Sequence, residues 1–595
     1  MFRIARRIAP LLGSLMVGAP AAALVTLSSG AIVGCADEND PETHVKKLSD
    51  PATSPQAITR LIQFFEDAMT RDNKDRNGPT VKPLLDKIVE PLSQTCVNGD
   101  LDERTRSKLI KFLSDARDPR AEACLVKVLK DYKPESTEED VRWAVRAVGA
   151  TKLKSAAPTL VEVFTKMKAS KPKASQVFRD VSDAMVGLAE ADPAIGKAWE
   201  SQLIGLLNRP INDPKDMATL KDELVWQITA AQVLGIIKSE AAVVPLLKVV
   251  LTPLKADAAS TAILALVKIG KPAIATTVAL LKGENKDLIE FSKVETLKAQ
   301  GAGDKPSAEA QKAAANAYVN TAALVLATIG RQESVEPMLT TIEKAEDIPR
   351  AIIARELSKL PKSPDTKKAF QTAYEKTPVT LSIPPGQGAR EALLEASSMF
   401  FDGAFAPWIV KTALDAKGEE GDLAPVREMS LLTAAKLMTA DQVAEVDKLF
   451  NLKVTGSDGK PSTLGKGLEK EYKIAKDLVT ACTDKVDCYL AKLAEPASHE
   501  KETQFQGIKS VYMVGVYGDP AVRQKLLELM PKLKNGAVRF VAVSLIDHFS
   551  PTGDPAMAAK LQAIVDEAEQ KKDQQMMSAN APFKTVIYRM AARSQ

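Results

Sequence analysis

Few residues in this chain are of a type that performs chemistry, and their spacing decides against most of it. Three histidines, His44, His499 and His548, are scattered over 595 residues, and none lies in a motif with a candidate serine, cysteine or metal cluster. General acid–base and nucleophilic catalysis are thereby left without their usual groups. A zinc site fails similarly, since no C-x-x-C exists among the five cysteines. The stretch GKPSTLGKG at 459–467 would have to follow G-x-x-x-x-G-K-[ST] to wrap a phosphate in backbone N–H groups. It has five residues between its first two glycines and Gly467 in the hydroxyl position. NKDRNG at 73–78 alternates Asn73, Asp75 and Asn77 before Gly78, like the start of a calcium loop, yet Leu84 stands where the bidentate glutamate belongs. That stretch reads as a solvated turn between helices. Carboxylates are abundant, with 76 Asp and Glu, so pairing two of them as an acid/base couple would be arbitrary. The expectation is no catalytic residue, no metal and no cofactor.

The cysteines remain. Arg3, Arg6 and Arg7 precede an uncharged stretch from Ile8 to Val33, the positive and apolar regions of an export signal. The stretch is long enough to span a bilayer, but Pro10 and Pro20 weaken it as a helix. It ends in Ile32-Val33-Gly34-Cys35, which resembles the lipobox of bacterial lipoproteins. The resemblance implies a lipoprotein signal peptide over 1–34, diacylglycerol on the Cys35 thiol, cleavage before it and acylation of the new amine. Several acyl chains hold a protein on a membrane far more firmly than one. Residues 36–54, ADENDPETHVKKLSDPATS, then read as a polar, proline-containing tether, so that 35–56 is lipidated cysteine and linker. The resemblance further implies a lipid-anchored protein of the cell envelope. The outer membrane is favoured over the inner because Ala36, and not aspartate, follows the cysteine.

An exported chain meets an oxidising compartment, where the four remaining cysteines are expected to pair. Three connectivities are possible. Cys482 and Cys488 are close in ACTDKVDCYL, where a bridge would pin the bend between two helices, and Cys96 and Cys124 are then left to each other across two neighbouring helical segments.

Residues 1–34 hold three of the 80 basic side chains and no acids, which leaves the mature 561 residues with 77 basic against 76 acidic side chains. Such a balance gives no case for nucleic acid, and an aromatic content of 5% leaves few stacking platforms. A chain of this length exceeds one compact core and must form several domains or an elongated array.

Strand signals are almost absent, whereas helical periodicity runs through nearly every window after residue 57. In ESVEPMLTTI at 333–342, Val335, Met338, Leu339 and Ile342 form one apolar face. ANAYVNTAALVLATIG before it is apolar nearly throughout, as a helix wedged between neighbours would be. Trp143, Trp199, Trp226 and Trp408 lie among apolar neighbours and read as core. GDPA recurs at 518–521 and 553–556, with ADPA at 191–194 and RDPR at 117–120. Asp can cap a helix start with Pro at N1 behind it. Apolar-x-Pro-x-apolar recurs in AAPTL (156–160), VVPLL (243–247), VEPML (335–339) and FAPWI (405–409), and proline inside a helix bends it. Bends fall near 117, 149, 192, 235, 270, 330, 361, 403, 439, 482, 518 and 553, most of them 31–43 residues apart, room for two helices and two turns.

The pattern resembles HEAT repeats, with GDPAVRQKLLEL at 518–529 the best match. It implies an all-α, right-handed α-solenoid of HEAT-like helical hairpin repeats over 57–595, about ten to twelve of them. Three stretches break the period: an insertion at about 284–306 and long loops at about 378–389 and 452–466. Stacked hairpins shield their apolar faces only against neighbours and build a concave groove from their second helices. The expected function is therefore a membrane-anchored, non-catalytic scaffold that binds a protein partner in that groove, with no small-molecule ligand. One alternative is a structural spacer or envelope-assembly component without a tight ligand. A second is an enzyme acting on an envelope polymer through carboxylates in an insertion. A compact globule with a sheet, or a deep pocket of converging ionisable groups, would contradict the reading of a curved rod that offers a surface and no reaction centre.

Overall fold

The computed structural model describes residues 37–594, apart from 173, 212, 214, 302–304, 385, 456–460 and 575–579. The chain forms two units, one up to Leu92 and one from Ser93. Cys35 and the segment read as a signal peptide lie outside the described residues.

In the first unit, residues 37–56, expected as an extended tether, are folded. Asp40 accepts a hydrogen bond from the Glu42 N–H and starts the helix Pro41–Lys46. His44 is buried with its ring 5.7 Å from that of Phe64, and Leu48 is buried as well. So short a helix has no stability of its own and forms because it packs on Ser54–Arg71, a tertiary effect invisible in a polar local sequence. The calcium-like stretch is a turn: Asp72 accepts from the Thr80 and Val81 N–H groups at the start of Val81–Asn98.

The second unit is an α-solenoid of helical hairpins in two layers. One layer holds Glu103–Ala116, Glu138–Thr151, Ala174–Ala191, Met217–Ile236, Ala256–Ile269, Ala308–Ile329, Asp347–Leu357, Ala389–Ser397, Glu420–Leu437, Glu469–Cys482, Phe505–Tyr517, Gly536–His548 and Asn580–Arg593. The other holds the mostly shorter helices between them, from Glu122–Lys130 to Pro555–Gln570. Along the first layer each helix packs on the next, and most helices of the other layer pack on a hairpin partner. Apolar side chains at i, i+3 and i+4, such as Leu109, Phe112 and Leu113, fill the space between layers. Trp199 and Trp226 are buried there, and their indole N–H groups donate to the carbonyls of Ala157 and Phe164, at 3.1 and 2.9 Å. Trp143 and Trp408, read as core, are only half-buried.

The bends fall where the turn chemistry places them. Asp118, Asp192 and Asp554 cap helix starts through their carboxylates, Gly270 and Gly330 close helices with positive φ, and Gly553 turns the connection before Asp554. The apolar-x-Pro-x-apolar prolines do not kink anything. Pro158, Pro245, Pro337 and Pro407 all stand in the first turn of their helices, where the missing N–H has no intrahelical partner to lose.

The expected insertion at 284–306 is mostly a helix, Lys286–Ala299, capped by Asn285 and packed on Val243–Leu251 and Ala308–Ile329. Only Leu288 and Ser292 are fully buried in it, so its apolar stripe is too narrow to show in the sequence. The two long loops each carry a small antiparallel ladder, Ser382–Ile383 with Gln387–Gly388 and Lys453–Thr455 with Pro461–Thr463.

The groove expected along the whole array is not continuous, because the first-named layer turns in on itself from residue 256 onward. Ser398 Oγ and the Tyr512 hydroxyl lie 2.9 Å apart, and the Phe401 ring is 5.5 Å from Tyr512 and 5.2 Å from His548. Gly515 permits that approach: a Cβ there would lie 2.6 Å from the Phe401 ring. The C-terminal helix Asn580–Arg593 packs on Gly536–His548 and Pro555–Gln570 and also on Ala256–Ile269 and Ala308–Ile329. Residues 256–593 thus close into a body whose inner layer is largely filled by its own side chains.

Candidate functional site

The four cysteines of the second unit meet in two pairs. Cys96 and Cys124 have Cα atoms 5.5 Å apart, and Cys482 and Cys488, on either side of the bend at Thr483, 5.4 Å. Both separations are ones a disulfide spans. The histidines are not brought together, and no cluster of three or more metal-ligating side chains exists among the described residues.

Two places combine chemistry-bearing side chains. The first is the exposed face of the inner-layer helices that the closure leaves uncovered, Glu103–Ala116 to Met217–Ile236. The half-buried Trp143 ring has Lys111 Nζ 5.6 Å, Arg142 Cζ 5.8 Å and Arg146 Cζ 5.3 Å from its centroid. Asp180 on the next helix accepts from Arg142 Nε at 3.2 Å and Arg146 Nε at 3.0 Å. Farther along that helix, burial and the Asp180 charge push the Asp183 carboxyl upward. The face thus presents an aromatic anchor in a cationic collar beside an acidic stripe.

The second place is a cavity of about 380 Å³ at the closure. Its walls are one face of Gly536–His548 (Phe540, Ser544, Asp547, His548), one face of the C-terminal helix (Thr585, Val586, Arg589, Arg593), the Ser358–Lys362 connection, and Met399 with Phe401. Buried cations here serve first as caps for helix C-termini, whose last carbonyls lack intrahelical partners. Arg589 Nη2 donates to the Lys359 carbonyl at 2.8 Å, Arg331 Nη1 to that of Ala592 at 2.7 Å, and Lys362 Nζ to those of Ser358 and Leu360. Among the described residues, Asp547 is the only carboxylate in the wall. Its Oδ1 takes Arg593 Nη1 at 3.0 Å and its Oδ2 takes Arg589 Nη2 at 3.2 Å. Burial, followed by the Arg589 charge, drives the Lys362 ammonium well below the usual lysine range, and burial lowers Arg589 to about 10. The same capping recurs outside the cavity, where buried Lys509 donates to the Lys436 and Met438 carbonyls and Lys255, lowered by burial to about 8, to those of Leu207 and Arg209. This cavity is the departure from the expectation of a surface without a pocket, and its residues carried no motif.

His548 gives the cavity a pH signature. Burial, and then the Lys362 charge, lowers its pKa to about 4. The folded state therefore resists protonation that the unfolded chain accepts near pH 6.5. Stability is full above that value and falls between about 6.5 and 4, by up to about 3 kcal/mol from this residue. Urea titrations at pH 7.5 and 5 are expected to show a drop that a His548→Gln variant largely lacks; equal drops in both proteins would refute it.

No known protein family matches the chain, and no curated protein does. Among solved structures it is similar to Kap121p, at 14% identity over 92% of this chain and 66% of that one, with a TM-score of 0.29. It is similar also to importin beta, at 9% identity over 92% and 84% with a TM-score of 0.26, and to the Pds5–Scc1 complex, at 12% identity over 89% of each chain with a TM-score of 0.28. At these values the helical-repeat solenoid stands on its own packing, and function must be read from the residues.

Proposed function

We propose that the protein is an exported, lipid-anchored, non-catalytic scaffold that holds a protein partner on the inner-layer face around Trp143. The observation that carries this reading is the half-buried Trp143 ringed by Lys111, Arg142 and Arg146 on a stretch of solenoid that the C-terminal helix does not cover. Tryptophan and arginine dominate binding hot spots because they combine large apolar area with directed polar contacts. A partner with an acidic rim around an apolar pocket fits the collar. Anchoring through Cys35 rests on the lipobox-like IVGC after an apolar, uncharged stretch. The cysteine pairs at disulfide separation agree with export to an oxidising compartment.

One experiment tests both halves. A photo-crosslinking amino acid is placed in living cells at position 143 or, as a control, at exposed Glu122 on the other layer, in the full chain and in its Cys35→Ser variant. The expected result is one recurring protein adduct at 143, none at 122, and membrane sedimentation lost on replacing Cys35. The same adducts at both positions would overturn the binding face. Unchanged sedimentation with unchanged lipid labelling would overturn the anchor.

A further inference from the structure

The wall of the closure cavity holds more positive charge than its caps and its one carboxylate explain. Asp547 is shared between Arg589 and Arg593. Lys362 has only carbonyls as partners, from Ser358 and Leu360. Lys359, also in the wall, is paired outside it with Glu356 at 2.7 Å. The buried Nε atoms of both Arg589 and Arg593 have no hydrogen-bond partner, a state that buried polar groups rarely keep. Lys362, Arg589 and Arg593 thus converge on a single carboxylate in a partly open site; that carboxylate is shared by the two guanidinium groups, and burial disfavours the Lys362 ammonium for want of a second counter-charge.

The rest of the wall is of the opposite character. Leu360, Pro361, Met399, Phe401, Pro551 and Val586 are apolar, and Phe540 is 46% exposed although it lies on a helix whose other faces are core. Phe540, Ser544, Asp547 and His548 fall on one stripe of that helix, so the exposed ring and the ionic cluster open onto the same space. His548, held neutral by burial, adds no positive charge to it above about pH 4. A volume of about 380 Å³ lies within the range of small-molecule sites.

We infer that this cavity binds an amphipathic organic anion, with a carboxylate or phosphate head set among Lys362, Arg589 and Arg593 and an apolar body against Met399, Phe401 and Phe540. The head supplies the missing counter-charge, and the body covers the ring that the fold leaves in water. Binding would also raise the Lys362 pKa toward its ordinary range, since an adjacent anion favours the ammonium form. The site stands apart from the Trp143 face and does not depend on it.

Calorimetric titration of the full chain tests the inference with octyl phosphate and octanoate as probes, and with inorganic phosphate, octanol and octyltrimethylammonium as controls. The expected result is saturable binding of one alkyl anion per chain, with inorganic phosphate and octanol each at least about tenfold weaker and the cation not bound. Phe540→Ser, at an exposed position that leaves the core intact, and Lys362→Gln are each expected to weaken binding about tenfold. Co-sedimentation with phosphatidylglycerol vesicles separates a soluble amphiphile from a bilayer lipid. Vesicle binding that monomeric octyl phosphate competes away assigns the head to a lipid, and no vesicle binding beside octyl phosphate binding assigns it to a free amphiphile. Failure of both alkyl anions to bind, or equal affinity in wild type and Phe540→Ser, overturns the site.

Discussion

Replacing Asp547 with alanine is expected to destabilise the second unit by about 3–5 kcal/mol, the loss measured when one partner of a buried ionic group is removed. Asp547 is 8% exposed and faces Arg589 and Arg593, themselves 6% and 8% exposed, with Lys362 in the same wall. Without its carboxylate, two buried guanidinium groups lose their shared counter-charge beside Lys362, and the repulsion adds to the desolvation each has already undergone. Two further variants separate charge from shape. Asp547→Asn keeps the outline and one acceptor, so it should fall between wild type and alanine. Asp547→Ala combined with Arg593→Met removes one orphaned cation and should recover part of the loss. Urea denaturation read at the midpoint measures all three. A loss below about 1 kcal/mol for Asp547→Ala would mean that water reaches the cluster and that the buried ionic reading is wrong.

The contrast between this cluster and the repeat pattern shows what was legible in the sequence. Turn chemistry is local and therefore legible: Asp118, Asp192 and Asp554 cap helices at Asp-Pro pairs, whereas Asp519 only holds the turn before Val522–Leu529, and the bends at 117, 270 and 330 carry the positive-φ residues that end their helices. The prolines were placed in the right helices but given the wrong job, since periodicity locates a helix to within a turn and a first-turn proline differs from a kinking one by three residues. The helix at 286–299 was hidden by a narrow buried stripe, and that at 41–46 by depending wholly on packing. The cavity was lost for a different reason. Arg589 and Arg593 stand four apart in VIYRMAAR, and Asp547 interrupts the apolar run VSLIDHF, so each could be marked as a charge on a core stripe. That they answer one another, and Lys362 almost two hundred residues earlier, follows only from the closure of the array. Nearest-neighbour reasoning about solenoids contains no term for that.

That closure sets the second large effect, which follows deletion of residues 580–595. In an array whose repeats contact only their neighbours, losing the last helix frays the last hairpin and leaves distant repeats untouched. Here the C-terminal helix buries Phe583, Val586, Ile587 and Met590, each contributing roughly 1.5–3 kcal/mol by its removal from water. It also reaches far back along the chain. Arg331 Nη1 donates to the Ala592 carbonyl at 2.7 Å across 261 residues of sequence, and Lys268 Nζ stands 4.3 Å from the centroid of the Tyr588 ring. Gly330 is built for this contact, since a Cβ there would fall 2.3 Å from Arg589 Nη2. Deletion should therefore expose one side of Ala256–Ile269 and Ala308–Ile329 and take from Arg331, 7% exposed in the intact chain, the Ala592 carbonyl, leaving Glu333 as its partner. Hydrogen exchange followed by mass spectrometry is expected to show protection falling at least about tenfold in those two helices, about 250 to 320 residues of sequence from the cut. Glu103–Ala116 and Glu138–Thr151, which the C-terminal helix does not touch, should be unchanged. Loss confined to 505–570 would show that the ends are merely adjacent and that the array still behaves as a chain of neighbours.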